Sequence, residues 1–289
     1  MQTQVSFDMP PGACDCHTHI HGEAREFPWF GGRVYTPQPA SPAAMSALHE
    51  ALGIHRVVIV TPSVYGSDNS ATLFGMRARG SSARGVAVID ANTPEGDLDA
   101  MGRAGMRGIR LNLATAGLRD PALARSLLQA SLERMRQRNW HVQMFIDLAL
   151  LSSLRNLVAE APVPLVFDHF GGARPEAGPE QPGFADLLDL ARSGKAYVKI
   201  SVHGGPRADY SGFATLARAL IEANPERILW GSNWPHPNSD TPPVRLPTEV
   251  TPHFPVDNAH VLNQLPLWAP DAALRKLILV DNPARLYGF

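Results

Sequence analysis

The sequence predicts an α/β fold, a single (β/α)8 TIM barrel with long loops after its first and last strands. Three observations predict it. Short β-rich runs alternate with longer helical patterns eight times along the chain. Most of those runs are continuously apolar, as parallel strands covered on both faces must be. The length of 289 residues suits one such barrel, for which ~250 residues is usual. A doubly wound open sheet is the structural alternative. No GxGxxG turn follows the first strand, however, and no P-loop pattern occurs. No internal repeat or linker divides the chain, so residues 1–289 read as one domain with an N-terminal extension over 1–12.

Taken in order, the predicted strands are Ala13–Ile20, Arg56–Thr61, Ala83–Ile89, Gly108–Leu113, His141–Ile146, Leu165–His169, Ala196–Ser201 and Ile228–Gly231. The helices expected between and after them are Ala43–Leu52, Ala71–Arg79, Leu98–Ala104, Pro121–Arg138, Leu150–Glu160, Phe184–Arg192, Phe213–Ala223 and Asp271–Leu279. Ser41-Pro42 and Asp120-Pro121 each place a capping side chain before a proline suited to the first helical turn. Two strand-to-helix loops are long: Gly22–Pro39, rich in aromatics, and Pro235–Ala269, with His236, Arg245, His253 and His260. Both leave the C-terminal ends of strands, where barrel active sites form.

Composition narrows the function. Lys and Arg number 26 against 27 Asp and Glu, a formal charge of −1. No global field therefore favours nucleic acid or a membrane surface. Hydrophobic residues make up 44% of the chain, enough for a large core. No apolar stretch approaches the ~20 residues needed to span a bilayer. The first twelve residues lack a basic segment followed by an apolar run, so no secretion signal is expected. The two cysteines, Cys14 and Cys16, lie two apart on a strand. Neither a disulfide nor a zinc knuckle is expected there, and a reducing, cytoplasmic setting fits. They read as small buried residues pointing away from the barrel mouth.

Chemistry-bearing residues recur at strand ends. His17 and His19 alternate at the end of strand one, and alternate strand residues share a face. His169 ends strand six. Arg110 and Asn112 share a face of strand four, and Lys199 and Ser201 share one of strand seven, with His203 just beyond. Asn233 follows strand eight in Trp230-Gly231-Ser232-Asn233-Trp234-Pro235-His236. A barrel interior prefers branched apolar residues, so polar groups at the same end of several strands point to a converging site. Asp15 has the parity of His17 and should lie one layer deeper, either orienting a histidine or serving as a structural carboxylate. Asp168 has the opposite parity to His169 and should face the helices.

Asp15-x-His17-x-His19, Asp168-His169, the Trp230–His236 segment and the closing Asn282-Pro283-Ala284-Arg285-Leu286-Tyr287-Gly288 together resemble the amidohydrolase superfamily. Within it they are most similar to the branch containing 2-pyrone-4,6-dicarboxylate lactonases and galactarolactone isomerases. Val60-Thr61-Pro62-Ser63-Val64-Tyr65-Gly66-Ser67-Asp68-Asn69 resembles that branch's loop after strand two. The resemblance implies a barrel that opens small carboxylated lactones without a metal. It implies that His17, His19 and His169 polarise the carbonyl, and that Arg110 holds a substrate carboxylate. Tyr35 and Ser63 fall in segments that resemble that branch's ligand-contacting segments. Asn112, Ser201, His203 and His236 are read as further substrate-binding candidates from their places at strand ends and in the last long loop. Arg207 lies near the loop of a second carboxylate-binding arginine.

Asn233 departs from the pattern, because it stands where a carboxylate would serve as the base. An amide neither accepts a proton near neutral pH nor binds a cation strongly. His17, His19 and His169 could offer three nitrogens to a mononuclear zinc, but Gln143-Met144-Phe145 ends strand five without a Lys or Glu to bridge two metals. No cofactor is expected. Three readings stand: hydrolysis of an anionic lactone with a histidine as base, isomerisation of an aldaric-acid lactone by the substrate's own hydroxyl, and a barrel disabled in turnover, natively or by an Asp-to-Asn change. Oligomeric state stays open.

Overall fold

The computed structural model describes residues 3–239 and 245–289. Eight parallel strands are paired in sequence order: β1 Cys14–Thr18, β2 Arg56–Val60, β3 Ala83–Ala87, β4 Met106–Asn112, β5 His141–Phe145, β6 Leu165–Phe167, β7 Ala196–Lys199 and β8 Ile228–Leu229. The ring is completed where the segment after β8 meets β1. Cys16 N donates to Trp230 O (3.0 Å), Asn233 N to His17 O (2.9 Å) and His19 N to Trp234 O (2.8 Å).

Seven helices cover the outside between strands: α1 Pro42–Leu52, α2 Ser70–Arg79, α3 Glu95–Arg103, α4 Pro121–Met135, α5 Leu151–Ala159, α6 Phe184–Arg192 and α7 Ser211–Ala223. The two caps that precede a proline form as expected. Ser41 Oγ accepts from Ala44 N, and Asp120 Oδ1 accepts from Ala122 N and Leu123 N. After β8 come α8 Asn258–Leu262, α9 Leu265–Trp268, α10 Ala272–Lys276, a π-helical turn over Leu277–Asp281, and α11 Asn282–Tyr287.

The two long loops carry regular structure of their own. Thr36–Pro37 and Val250–Thr251 pair as short parallel strands, which ties the loop after β1 to the loop after β8 across the mouth. The predicted loop Pro235–Ala269 holds α8 and α9, and its residues 240–244 lie outside the described residues.

Two buried layers show which way each strand faces. Val57, Ile59, Ile109, Val142, Leu165 and Phe167 pack with helix residues. Cys14, Cys16, Val58, Val60, Val86, Val166, Tyr197 and Leu229 form a separate cluster inside the ring, reached from the C-terminus by Tyr287. The cysteines are thus interior plug residues below the polar layer. Asn282 anchors α11 under β8 by donating to Pro225 O and Ile228 O, both at 2.8 Å.

Candidate active site

Above the apolar plug the barrel interior turns polar. His17, Gln143, Asp168 and Lys199 are fully buried, and Arg110 is 6% exposed. Asp168 Oδ2 accepts from Arg110 Nε (2.8 Å) and Gln143 Nε2 (3.0 Å). Its Oδ1 lies 3.3 Å from Lys199 Nζ and 3.1 Å from His17 Nδ1. Lys199 Nζ donates to Gln143 Oε1 at 2.7 Å and stands 3.3 Å from His17 Nδ1.

The expected outward orientation of Asp168 is corrected. Along β6, Val166 and Asp168 both face inward. Alternation then stops, because His169 and Phe170 take left-handed conformations with φ 52° and 56°. The turn swings His169 to the same mouth that Asp168 already faces.

For Asp15 the structure corrects the expected parity with His17. The register between β1 and β2 shifts between Asp15 and Thr18, and such a bulge resets side-chain parity. Cys16 and His17 therefore both reach the interior. Asp15 faces α1, with Oδ2 3.3 Å from His49 Nε2. Its Oδ1 accepts from Ser232 N (2.9 Å) and His17 N (3.1 Å). It joins the backbones of the first and last strands rather than orienting a ring in the site. Burial opposes its charge, but His49 and Ser232 outweigh that and hold its carboxyl below the usual range.

Over the polar layer lies a narrow cavity of about 20 Å³. Among the sequence candidates, His19, Tyr35, Ser63, Arg110, His169, His203 and Asn233 line it. His17 sits beneath, its ring 4.9 Å from His19 and 4.6 Å from His169. Ser201 lies behind His169, its Oγ 2.8 Å from Nδ1. Phe145, Thr115 and Ser239 also line the cavity, although their sequence positions carried no chemical signal. An outer groove of about 840 Å³ shares Phe145, His169 and His203 with it and continues past Ser201, Arg119, Arg174 and Arg207. The candidate catalytic residues concentrate in the small cavity.

Two candidates stand apart. Asn112 does not line the cavity, and both its amide atoms are buried without partners among the described residues. His236 bonds Asn258 Oδ1 through Nε2 at 2.8 Å and lines a separate cavity with His253 and Trp234. Its ring is turned from the site by the left-handed Asn233 and His236, with φ 65° and 62°.

Burial dominates the electrostatics. It pushes His17 down to about 4, with Lys199 and Arg110 adding to that and Asp168 opposing. His19 and His169 are driven well below 6.5 by burial and by neighbouring positive charge, that of His17 first. These rings are neutral at pH 7. Burial alone would raise Asp168, but Lys199, His17 and Arg110 together hold it well below the carboxylate range. His19 Nδ1 lies 2.8 Å from Val60 O. A carbonyl only accepts, so that nitrogen carries the proton and Nε2 keeps its lone pair.

Among the described residues, His17, Asp168 and His169 have potential metal-ligand atoms within 4.8 Å of one another. They fit a divalent ion poorly. Each Asp168 oxygen already faces a buried cation. Two like charges at 4 Å repel by about 4 kcal/mol even at an effective dielectric of ~20.

The amidohydrolase family model matches residues 14–289. The chain is 35% identical to a 4-sulfomuconolactone hydrolase of Rhizobium radiobacter, covering 98% of this chain and 92% of that one. It is 33% identical to a 2-pyrone-4,6-dicarboxylate hydrolase of Comamonas testosteroni (99% and 93% covered). It is 32% identical to a D-galactarolactone isomerase of Agrobacterium fabrum (96% and 91%). A barrel mouth furnished with buried histidines, and kinship along almost all of its length, make this chain a member of the amidohydrolase family.

Proposed function

We propose that this protein hydrolyses a small carboxylated lactone, without a metal ion. The observation that carries the reading is the cavity itself: neutral histidines beside two cations, Arg110 and Lys199, that share a single carboxylate, Asp168. One positive charge is left over, which favours an anionic ligand. Relatives named as hydrolases of a sulfonated lactone and a pyrone dicarboxylate support it.

Among the described residues Arg110 bonds Asp168 through Nε, and its terminal nitrogens are placed to grip a substrate carboxylate. Tyr35 and Ser63 line the cavity beside it. His17 Nε2, buried without a partner among the described residues, points to an electrophilic role at the lactone carbonyl. His19 Nε2 is the acceptor for a proton from water. Water oxygen bonds to the carbonyl carbon, and its proton passes to His19. The ring C–O bond then breaks, and the leaving alkoxide takes that proton back. Asn233 orients the water. The ligand's negative charge favours protonated histidine, which offsets the burial that depresses these rings.

A second reading, isomerisation, is favoured by Asn233 at the cavity wall and by the relative named an isomerase. A hydroxyl of the substrate then attacks in place of water. A panel of anionic lactones followed by NMR, with this chain and Asn233→Asp, separates the readings. An open hydroxy acid means hydrolysis, a new ring size means isomerisation, and turnover only by the variant means a disabled site.

A further inference from the structure

Of three lysines in the chain, Lys199 alone is buried, and it is buried completely. Burying a lysine is costly unless its ammonium is matched by partners. Here the partners are Gln143 Oε1 (2.7 Å), Asp168 Oδ1 (3.3 Å) and His17 Nδ1 (3.3 Å), all belonging to the cluster that resembles a metal site. Asp168 Oδ1 is also near His17 Nδ1 (3.1 Å), but among the described residues hydrogen-bond geometry at that nitrogen is met only by Lys199. An ammonium has donors and no acceptor. If it donates to Nδ1, the ring proton of neutral His17 must sit on Nε2, the buried nitrogen that has no partner among the described residues. A protonated nitrogen cannot ligate a metal.

We propose that Lys199 is the resident cation of this cluster. It neutralises Asp168 where related chemistry would use a divalent ion, and it fixes His17 as the tautomer that donates from Nε2. It is a positioning residue, acting through His17 and Asp168. This deepens the metal-free reading and rests on it, but says nothing of which lactone reaction follows.

Zinc uptake tests it without turnover. Wild type, Lys199→Met, Lys199→Gln and Lys199→Arg are incubated with zinc chloride, desalted, checked for folding by circular dichroism and assayed by elemental analysis. Wild type and Lys199→Arg are expected to keep well under one zinc per chain. Lys199→Met or Lys199→Gln should keep close to one, with apparent affinity tighter by about 100-fold, and should lose it again when His169→Ala is added. Stoichiometric zinc in wild type would overturn both this inference and the metal-free reading. Folded Met and Gln variants that take up no zinc would overturn the role of Lys199 alone. A ¹⁵N spectrum of wild type placing the His17 proton on Nδ1 would overturn the tautomer assignment.

Discussion

Arg110 does two things with one guanidinium, holding Asp168 through Nε and facing the cavity. Replacing it with methionine should lower kcat/KM for a carboxylated lactone by about 100-fold, near 3 kcal/mol of charge-assisted bonding. The loss should be much smaller for an uncharged lactone, and steady-state kinetics on the matched pair checks this. Equal losses on both would mean that Arg110 serves only Asp168. At this scale the sequence exposes residue types more readily than directions. His17, His19, His169, Arg110 and Asn233 are visible because polar groups do not otherwise gather at strand ends. Asp168 is misread because parity counting assumes extended backbone through His169, which the left-handed turn at φ 52° denies. Lys199 is visible on its strand, but its importance emerges only when Gln143, Asp168 and His17 are seen around it.

The element that most controls the site is the junction of β1 with the segment after β8. Gly231 is required there by close approach rather than by an unusual φ. A Cβ at Gly231 would stand 2.6 Å from His17 Cβ and 2.9 Å from His17 N. Backbone cannot give way cheaply, so Gly231→Ala should destabilise the protein by about 2 kcal/mol or more and displace His17. Denaturant melts should show a lower midpoint, with activity lost even where the variant is folded. A neutral substitution would contradict the closure of the ring described above. Strand and helix positions are legible because buried parallel strands are apolar throughout and the helices are punctuated by Ser41-Pro42 and Asp120-Pro121. The bulge between Asp15 and Thr18 is not legible, since it exists only in register with β2. The short pairing of Thr36–Pro37 with Val250–Thr251 joins segments more than two hundred residues apart and has no local signal.

The whole molecule buries many of its histidines uncharged. Burial pushes His17 and His236 to about 4 and His141 to about 3, and also lowers His19, His21, His169 and His253. Between pH 6.5 and about 4 the unfolded chain binds protons on these rings that the folded chain does not. Stability is therefore full above pH 6.5 and falls as pH drops, by up to roughly 3 kcal/mol for a shift like that of His17. Asp15 and Asp168, held low in the fold, add a further loss below about pH 4. Thermal melts should show Tm dropping between pH 7 and 5, and a Tm flat over that range would show these histidines to be charged or solvated. None of the described helices is long and apolar enough to cross a membrane. The eight-strand barrel itself is the part of the molecule most fully readable from sequence, because its alternation is global. The lactone that fits is the least readable, because the long loops over the mouth set it.

The most direct test is turnover of an anionic lactone by chelator-treated protein in H₂¹⁸O, with the product analysed by mass spectrometry and NMR. The proposed mechanism predicts an open hydroxy acid carrying one ¹⁸O in its new carboxylate, at a rate unchanged by the chelator. An unlabelled lactone of altered ring size, or turnover that returns only with added zinc, would contradict it.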